Sequence, residues 1–428
     1  MTVAVSPRAK GFGNVRWMVV FWMFIVAAVS YLDRNNISIA AAAIQEEFGL
    51  SNVQLGGVFS AFVMGYALTQ PIAGRIADRF GPYRVIAFGI IWWSLFTVAT
   101  ALVPSGFPFS LTALIAVRFL LGIGEAVIFP ASNRLVANWI PAGERGLANG
   151  IIFAGVGIGA GIAPPLIIFI MVTYGWQWAF HASALIGLVV LAIWLLLIRD
   201  RPRDHPLMTQ AELSLIENGM TAAARGKPAT WSMIIRQKSV GFLAASYFAF
   251  GYVAYIFFTW FFLYLSKVRG LDLKASAIYG MLPFIAMALA SPLGGWISDR
   301  LAPRYGERKG RCWTAAASLA LAAIFVAAAT QVDSAEVAVL FLAGGAGSLY
   351  LSQSAYWTLS ANLGGNSAGS VSGFMNMCNQ IAGILTASLT PFLADRYGWT
   401  PSFLLAAAIC LCGAGAWLMI DPEDRLEA

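Results

Sequence analysis

Twelve long apolar stretches constrain this chain before any single residue does. They run roughly Trp17–Ala43, Val53–Ala77, Val85–Val103, Phe109–Ala137, Arg145–Val172, Trp176–Ile198, Val240–Ser266, Ala275–Ile297, Trp313–Gln331, Ala335–Leu363, Ser367–Leu393 and Thr400–Ile420. A helix needs about 20 apolar residues to cross a bilayer, and each stretch is close to or above that length. A membrane β-strand needs only about 9–11, so these spans exclude an outer-membrane barrel. Only 11% of the 428 residues are charged, against about 25% in soluble domains. The expected fold is all-α and embedded in a lipid bilayer, with twelve transmembrane helices.

Lys and Arg set the orientation. With the N-terminus inside, 21 of the 27 fall on the inside, four on the outside, and two, Arg34 and Arg118, within spans. Both termini are therefore expected to be cytoplasmic, in a cell inner (plasma) membrane. The loop with Lys267, Arg269 and Lys274 runs against the rule without overturning it. The first span is too long for a signal-peptide core and is expected to be retained. A net charge of +7 would suggest nucleic acid in a soluble protein. Here the basic residues sort by membrane side, and no nucleic-acid partner is expected.

The longest polar stretch divides the chain into a six-helix bundle at 1–198, a linker at 199–238 and a second six-helix bundle at 239–428. Within the linker, Thr209-Gln-Ala-Glu212 has the pattern of a capping box opening a short surface helix, Glu212–Asn218. The halves repeat: Pro71-Ile-Ala-Gly74-Arg-Ile-Ala-Asp78-Arg79 returns as Pro292-Leu-Gly-Gly295-Trp-Ile-Ser-Asp299-Arg300. A repeated helical unit is the pattern of secondary transporters, whose substrate site lies between the repeats near the midplane.

Four ionisable residues lie deep in the spans: Asp33 and Arg34 in the first, Arg118 and Glu125 in the fourth. Each costs roughly 2.5–3.5 kcal/mol at a helix centre on insertion scales, so each marks a functional site by default. Arg118 and Glu125 are seven residues apart, which places both side chains on one helix face. Buried ion pairs are poor stabilisers, and apolar packing would hold two helices together at lower cost. Burial favours a neutral carboxyl, and a nearby arginine favours the charged one. An incoming carboxylate that competes for the arginine links proton binding to anion binding.

The loop Gly74-Arg-Ile-Ala-Asp78-Arg79-Phe-Gly81-Pro-Tyr-Arg84 resembles the signature between the second and third helices of the major facilitator superfamily. Glycine permits close helix approach, and an acid among arginines can latch one conformation. The candidate latch is Gly74, Asp78, Arg79 and Arg84, with Asp299 and Arg300 in the repeat. Tyr31-Leu-Asp33-Arg34-Asn-Asn-Ile-Ser, Phe59 to Tyr66, Arg118 to Arg134 and Thr259-Trp260 are similar to the anion:cation symporter family, which includes galactonate- and hexuronate-type permeases. That resemblance covers essentially the whole chain.

The resemblance implies that Asp33 and Glu125 carry protons and that Arg34 and Arg118 receive the substrate carboxylate. It adds Tyr66, Ser354, Trp357 and Asn376 as substrate contacts. Asn379 and Gln380 join them as hydrogen-bonders, but they stand where galactonate-type relatives are glycine-rich. Val156 stands where such relatives carry glutamine, so the resemblance alone does not assign galactonate as the substrate. The glycine-rich fifth span is expected to pack and slide without touching substrate.

The implied activity is proton-coupled uptake of an organic anion by alternating access, in a monomer. A sugar acid of the hexonate, hexuronate or glucarate type is the first expectation. An aromatic or small dicarboxylate anion such as phthalate, hydroxyphenylacetate or tartrate is the second. No cofactor is expected beyond the proton as coupling ion. His181, His205 and the four cysteines form no metal or disulfide pattern, and no nucleophile or cofactor motif suggests an enzyme. A transporter-like sensor would need a signalling domain, and only eight residues follow Ile420.

Overall fold

The computed structural model describes residues 14–220, 229–261, 264–271 and 273–426. The ends of the two bundles (1–13 and 427–428), part of the linker (221–228) and the side chains of Lys267 and Lys274 lie outside the described residues. Among the described residues, eleven helices are long and apolar enough to cross a membrane. One of them, Ala335–Tyr397, has 63 residues. At 1.5 Å per residue it is about three times too long for one crossing. It turns back at Gly365 (φ 50°) and supplies the tenth and eleventh crossings.

In the first half, α1 (Val15–Ile39) and α2 (Ala41–Phe48) are followed by α3 (Asn52–Phe80) and α4 (Pro82–Leu102). The fourth crossing is broken into α5 (Ser110–Glu125) and α6 (Ile128–Trp139). Then come α7 (Arg145–Tyr174) and α8 (Trp176–Leu197). The linker forms α9 (Gln210–Asn218) and α10 (Trp231–Arg236). The second half comprises α11 (Lys238–Thr259), α12 (Leu273–Tyr305), α13 (Thr314–Ala328), α14 (Ala335–Leu351), α15 (Gln353–Gly364), α16 (Ala368–Tyr397) and α17 (Trp399–Leu418). The tenth crossing breaks at Ser352, between α14 and α15, as the fourth breaks after Glu125. The seventh leaves α geometry after Thr259, earlier than its apolar pattern suggests. Gly81 (φ 91°) joins α3 to α4 and Gly398 (φ 86°) joins α16 to α17 in a single residue, a backbone state that side chains disfavour.

Large apolar side chains such as Leu68, Phe88, Phe169, Val172, Leu196 and Leu289 point outward from the helices. In water this surface would be an aggregation liability; in a bilayer it is the lipid face. The halves meet where α3 packs on α16 and α7 on α12. Small residues set the closeness: a Cβ on Gly74 would strike the Gly369 carbonyl, and one on Gly150 would strike Pro292.

Two carboxylates fasten this junction at the end that carries the linker. Asp78 of α3 accepts from Gly369 N (2.9 Å), Ser370 N (2.8 Å) and Ser370 Oγ at the start of α16. Asp299 of α12 accepts from Gly146 N (3.1 Å) and Leu147 N (2.8 Å) at the start of α7. Each acid satisfies orphan N–H groups and faces the positive end of a helix dipole in the opposite half. Among the described residues, the arginines within 4 Å of these acids are Arg134 (3.8 Å) and Arg311 (2.8 Å). The motif's own Arg79 lies over Phe80, Arg300 lies over Trp296, and Arg84 is exposed.

The linker is more than a solvated connector. Thr209 caps α9 through Glu212 N (3.2 Å), but the Glu212 carboxylate does not close the reciprocal half of the box. It accepts instead from Val15 N and Arg16 N, both at 3.0 Å, at the start of α1. Further on, Ala229 N donates to Ser367 Oγ (2.6 Å) while its carbonyl accepts from Arg75 of α3. The linker thus touches both halves beside the Asp78 contact.

Hydrogen bonds to a charged group contribute about 1.5–3 kcal/mol. The double substitution Asp78→Asn/Asp299→Asn, which weakens such bonds at two sites, should therefore open the linker end at least about tenfold more often. The check is thiol labelling of Ser360→Cys, between the halves, in a background with Cys312, Cys378, Cys410 and Cys412 replaced. An unchanged labelling rate would show that the two acids do not hold this end shut.

Candidate functional site

Arg34 is held where α1 passes α5. Its Nε and Nη2 donate to Glu125 Oε2 at 3.2 and 2.9 Å. Glu125 is the last residue of α5, fully buried, and its Oε1 has no hydrogen-bond partner. Three rings surround the guanidinium: Tyr66 at 4.4 Å, Tyr31 at 4.6 Å and Phe62 at 5.0 Å from centroid to Cζ. Ring faces at such distances attract a cation and offset part of its desolvation. Arg118 lies against the same Phe62 ring, at 4.8 Å. It is buried, its Nε is unpaired, and no carboxylate lies within 4 Å of it among the described residues.

Asp33 is buried as well, but it is turned away from Arg34's surroundings. Its Oδ2 accepts from the Thr97 hydroxyl of α4 at 2.6 Å, and its Oδ1 from the Asn36 amide at 3.4 Å. Asn36 also donates to Ser183 of α8 at 2.7 Å. Neighbours on a helix point about 100° apart. Two charges adjacent in sequence therefore serve different surroundings.

A cavity of about 210 Å³ opens beside Arg34, between the halves. From α1 it receives Tyr31, Arg34, Asn35 and Ser38, the spacing of one helix face. Across from them stand Asn376, Asn379 and Gln380 of α16 and Tyr247, Phe250, Tyr255 and Phe258 of α11. The polar groups of the second half brace one another. Tyr247 Oη accepts from Gln353 Nε2 and from Trp357 Nε1, each at 3.0 Å. The Tyr255 hydroxyl donates to Gln380 Oε1.

Phe129 of α6, Phe153 of α7 and Trp357 of α15 form the cavity's floor, with centroids 4.9–5.9 Å apart. Beneath it, toward the linker end, polar side chains join the halves. Asn133 donates to Ser360 Oγ (2.9 Å), Asn149 to Thr358 Oγ1 (3.4 Å) and Arg145 to Asn362 Oδ1 (2.6 Å).

Of the residues singled out from sequence, Arg34, Tyr66, Trp357, Asn376, Asn379 and Gln380 line the cavity. Asp33, Arg118, Glu125 and Ser354 do not; they lie behind its wall, and the Ser354 hydroxyl is buried without a partner. The fifth crossing does reach the cavity, through Val156 and Ala160, contrary to the expectation that it only packs. The glycines flanking these residues bring α7 close to α1: a Cβ on Gly155 or Gly159 would meet the α1 backbone. Tyr31, Phe129, Phe153 and Tyr247 were not anticipated. A helix-face stripe at 247, 250, 254, 255 and 258 was readable in the sequence, and Tyr31 sits one turn before Arg34.

Repeated halves, a lipid-facing exterior and a cavity between the halves, with Arg34 the one charged side chain among its described lining residues, are the architecture of a multi-pass membrane transporter. The chain belongs to the Major Facilitator Superfamily, which matches residues 23–387 and 301–428. Its relatives place it among the anion:cation symporters. It is 34% identical to a Cupriavidus necator protein named "Probable sulfoacetate transporter", over 96% of this chain and 94% of that protein. It is 30% identical to the hexuronate transporter of Bacillus subtilis, over 94% and 93% of the two chains. The D-galactonate transporter of Escherichia coli is also 30% identical, over 95% and 96%. Among solved structures, the fold matches a proton:xylose symporter with TM-score 0.70 at 16% identity, over 93% and 95%. It matches the human organic anion transporter MFSD10 with TM-score 0.73 at 15% identity, over 94% and 99%.

Removing one partner of a buried pair leaves the other charge uncompensated, at a cost of about 3–5 kcal/mol. Arg34→Ala should therefore lower the thermal midpoint of the purified protein. Arg34→Ala/Glu125→Gln should recover part of the loss. Equal midpoints for the single and double variants would contradict the pairing.

Proposed function

We propose that this protein takes up an organic anion together with protons, by alternating access of its two halves. The single observation that carries the reading is the state of Arg34. It faces the cavity, yet its Nε and Nη2 are already held by Glu125, whose second oxygen is unpaired. A substrate carboxylate must displace Glu125 or bind once Glu125 is protonated. Either route ties anion binding to the protonation of a buried acid. Arginine suits the anchoring role through its permanent charge and bidentate geometry. Asp33, held by Thr97 and Asn36 away from the cavity, is the second proton site in this reading. Arg118, one ring away, lends positive potential rather than a direct contact.

The relatives' names support an anionic substrate: hexuronate, galactonate and galactarate/D-glucarate among them. A sugar acid is the leading candidate, with the tyrosine hydroxyls and amides of the second half meeting its hydroxyl groups. The rings of Phe129, Phe153, Phe250, Phe258 and Trp357 in the same wall favour an aromatic acid as the second reading. The cavity lies below the roughly 300–1,000 Å³ of pockets built for drug-sized ligands, so both readings concern small molecules. We place the protein in the cell inner membrane as a monomer, with the linker end and both termini cytoplasmic and the two bundles divided at 199–238. In that orientation the present closure faces the cytoplasm, and substrate enters from outside.

Uptake into proteoliposomes under an inward proton gradient tests the reading. Asp33→Asn should retain binding and lose accumulation above equilibrium, whereas Arg34→Ala should lose binding itself. Concentrative uptake by Asp33→Asn would remove that residue from the coupling role. Unchanged affinity in Arg34→Ala would remove the anion anchor.

A further inference from the structure

The charge inventory of the cavity wall narrows the substrate further. Among the described lining residues Arg34 alone is charged. Arg118 lies over the Phe62 ring at 4.8 Å and does not line the wall. The wall opposite Arg34 offers uncharged groups. Asn376 makes no hydrogen bond to the protein among the described residues, Asn379 donates to the Tyr247 carbonyl (3.3 Å), and Gln380 accepts from Tyr255.

From this distribution we infer that the cavity selects acids with a single negative charge and rejects the dianion of the same skeleton. The inference rests on the proposed anion-carrier reading and specifies its substrate class. One acidic head reaches Arg34 as Glu125 is displaced or neutralised. The far end of the ligand meets amides, a tyrosine hydroxyl and ring faces, which suit hydroxyls, a neutral ring or an amide. A second carboxylate there would lose its hydration with no cation to compensate it, and such desolvation costs several kcal/mol. Amides can share hydrogen bonds with a carboxylate but carry no net charge to offset it. The relatives divide along this line by name: galactonate and hexuronate are monoanions, whereas sulfoacetate, galactarate and D-glucarate are dianions. The cavity places this chain with the former kind of cargo. Gln380 is the specificity-determining position in this account, because it is an uncharged side chain that lines the same cavity as Arg34 from the other half.

The test is equilibrium binding to the purified full-length protein in nanodiscs, using matched pairs of acids: D-gluconate with D-glucarate, D-galactonate with galactarate, and benzoate with phthalate. The expected result is that whichever skeleton binds does so as the monoanion, by tenfold or more, since about 1.4 kcal/mol corresponds to a factor of ten. Gln380→Arg should narrow or reverse that ratio while Arg34→Ala removes binding of both members. A dianion that binds wild type as tightly as its monoanion would overturn the inference and leave anion transport standing. Binding of the neutral polyol D-sorbitol with no acid bound would overturn the anion reading as well.

Discussion

The Arg34–Glu125 pair is the interaction on which the rest of the structure depends. Two charges have been carried into a low-dielectric interior where apolar side chains would pack at lower cost. Much of the surrounding architecture supports them. Tyr31, Tyr66 and Phe62 clad the guanidinium. The helical crossing that carries Glu125 ends its first segment at that residue, and α6 resumes at Ile128. That break puts the carboxylate beside α1 and directs Phe129 into the cavity floor. The pair is nonetheless incomplete, because Glu125 keeps an unpaired oxygen. An interaction that is costly and unsaturated is suited to being exchanged for another.

Closure at the linker end is built in layers that follow from the internal repeat. The aromatic floor comes first, then the polar contacts of Asn133, Asn149 and Arg145, then the two carboxylates on opposite helix starts. Asp78 reaches from the first half to α16 and Asp299 from the second half to α7. Both bonds cross the boundary between halves, so any movement that separates the halves at this end must break them together. The glycines at these crossings carry the same constraint in steric form, since a Cβ at Gly74 or Gly295 would strike the backbone of the other half.

Much of this was legible in the sequence, and the exceptions have identifiable causes. The spans, the repeat and the buried charges follow from hydropathy and from counting ionisable residues. The helix that turns at Gly365 and the breaks after Glu125 and at Ser352 leave no hydropathy signal, because the apolar pattern runs on through them. Asp33 and Arg34 read as one unit because they are adjacent, whereas a helix sends neighbours to different faces. The latch motif contains Asp78 and Asp299, the two acids that bond to helix starts in the opposite half. Arg134 and Arg311, the arginines that reach them, lie outside the matched motif, Arg311 only twelve residues beyond Asp299, and packing brings them to the acids. The roles of Arg118 and Ser354 came from resemblance, and neither side chain touches the cavity. Val156 and Ala160 do touch it, because glycines on either side let α7 lie close against α1.

The central claim is that an anion takes Arg34 as Glu125 gives it up to a proton. Calorimetry of anion binding in buffers of different ionisation enthalpy measures it most directly, using the tightest-binding acid from a panel of sugar and aromatic acids. Near neutral pH the account predicts net uptake of about one proton per anion bound by the wild type, and none by Glu125→Gln. Binding that takes up no proton in the wild type, or that takes up the same number in Glu125→Gln, would contradict it.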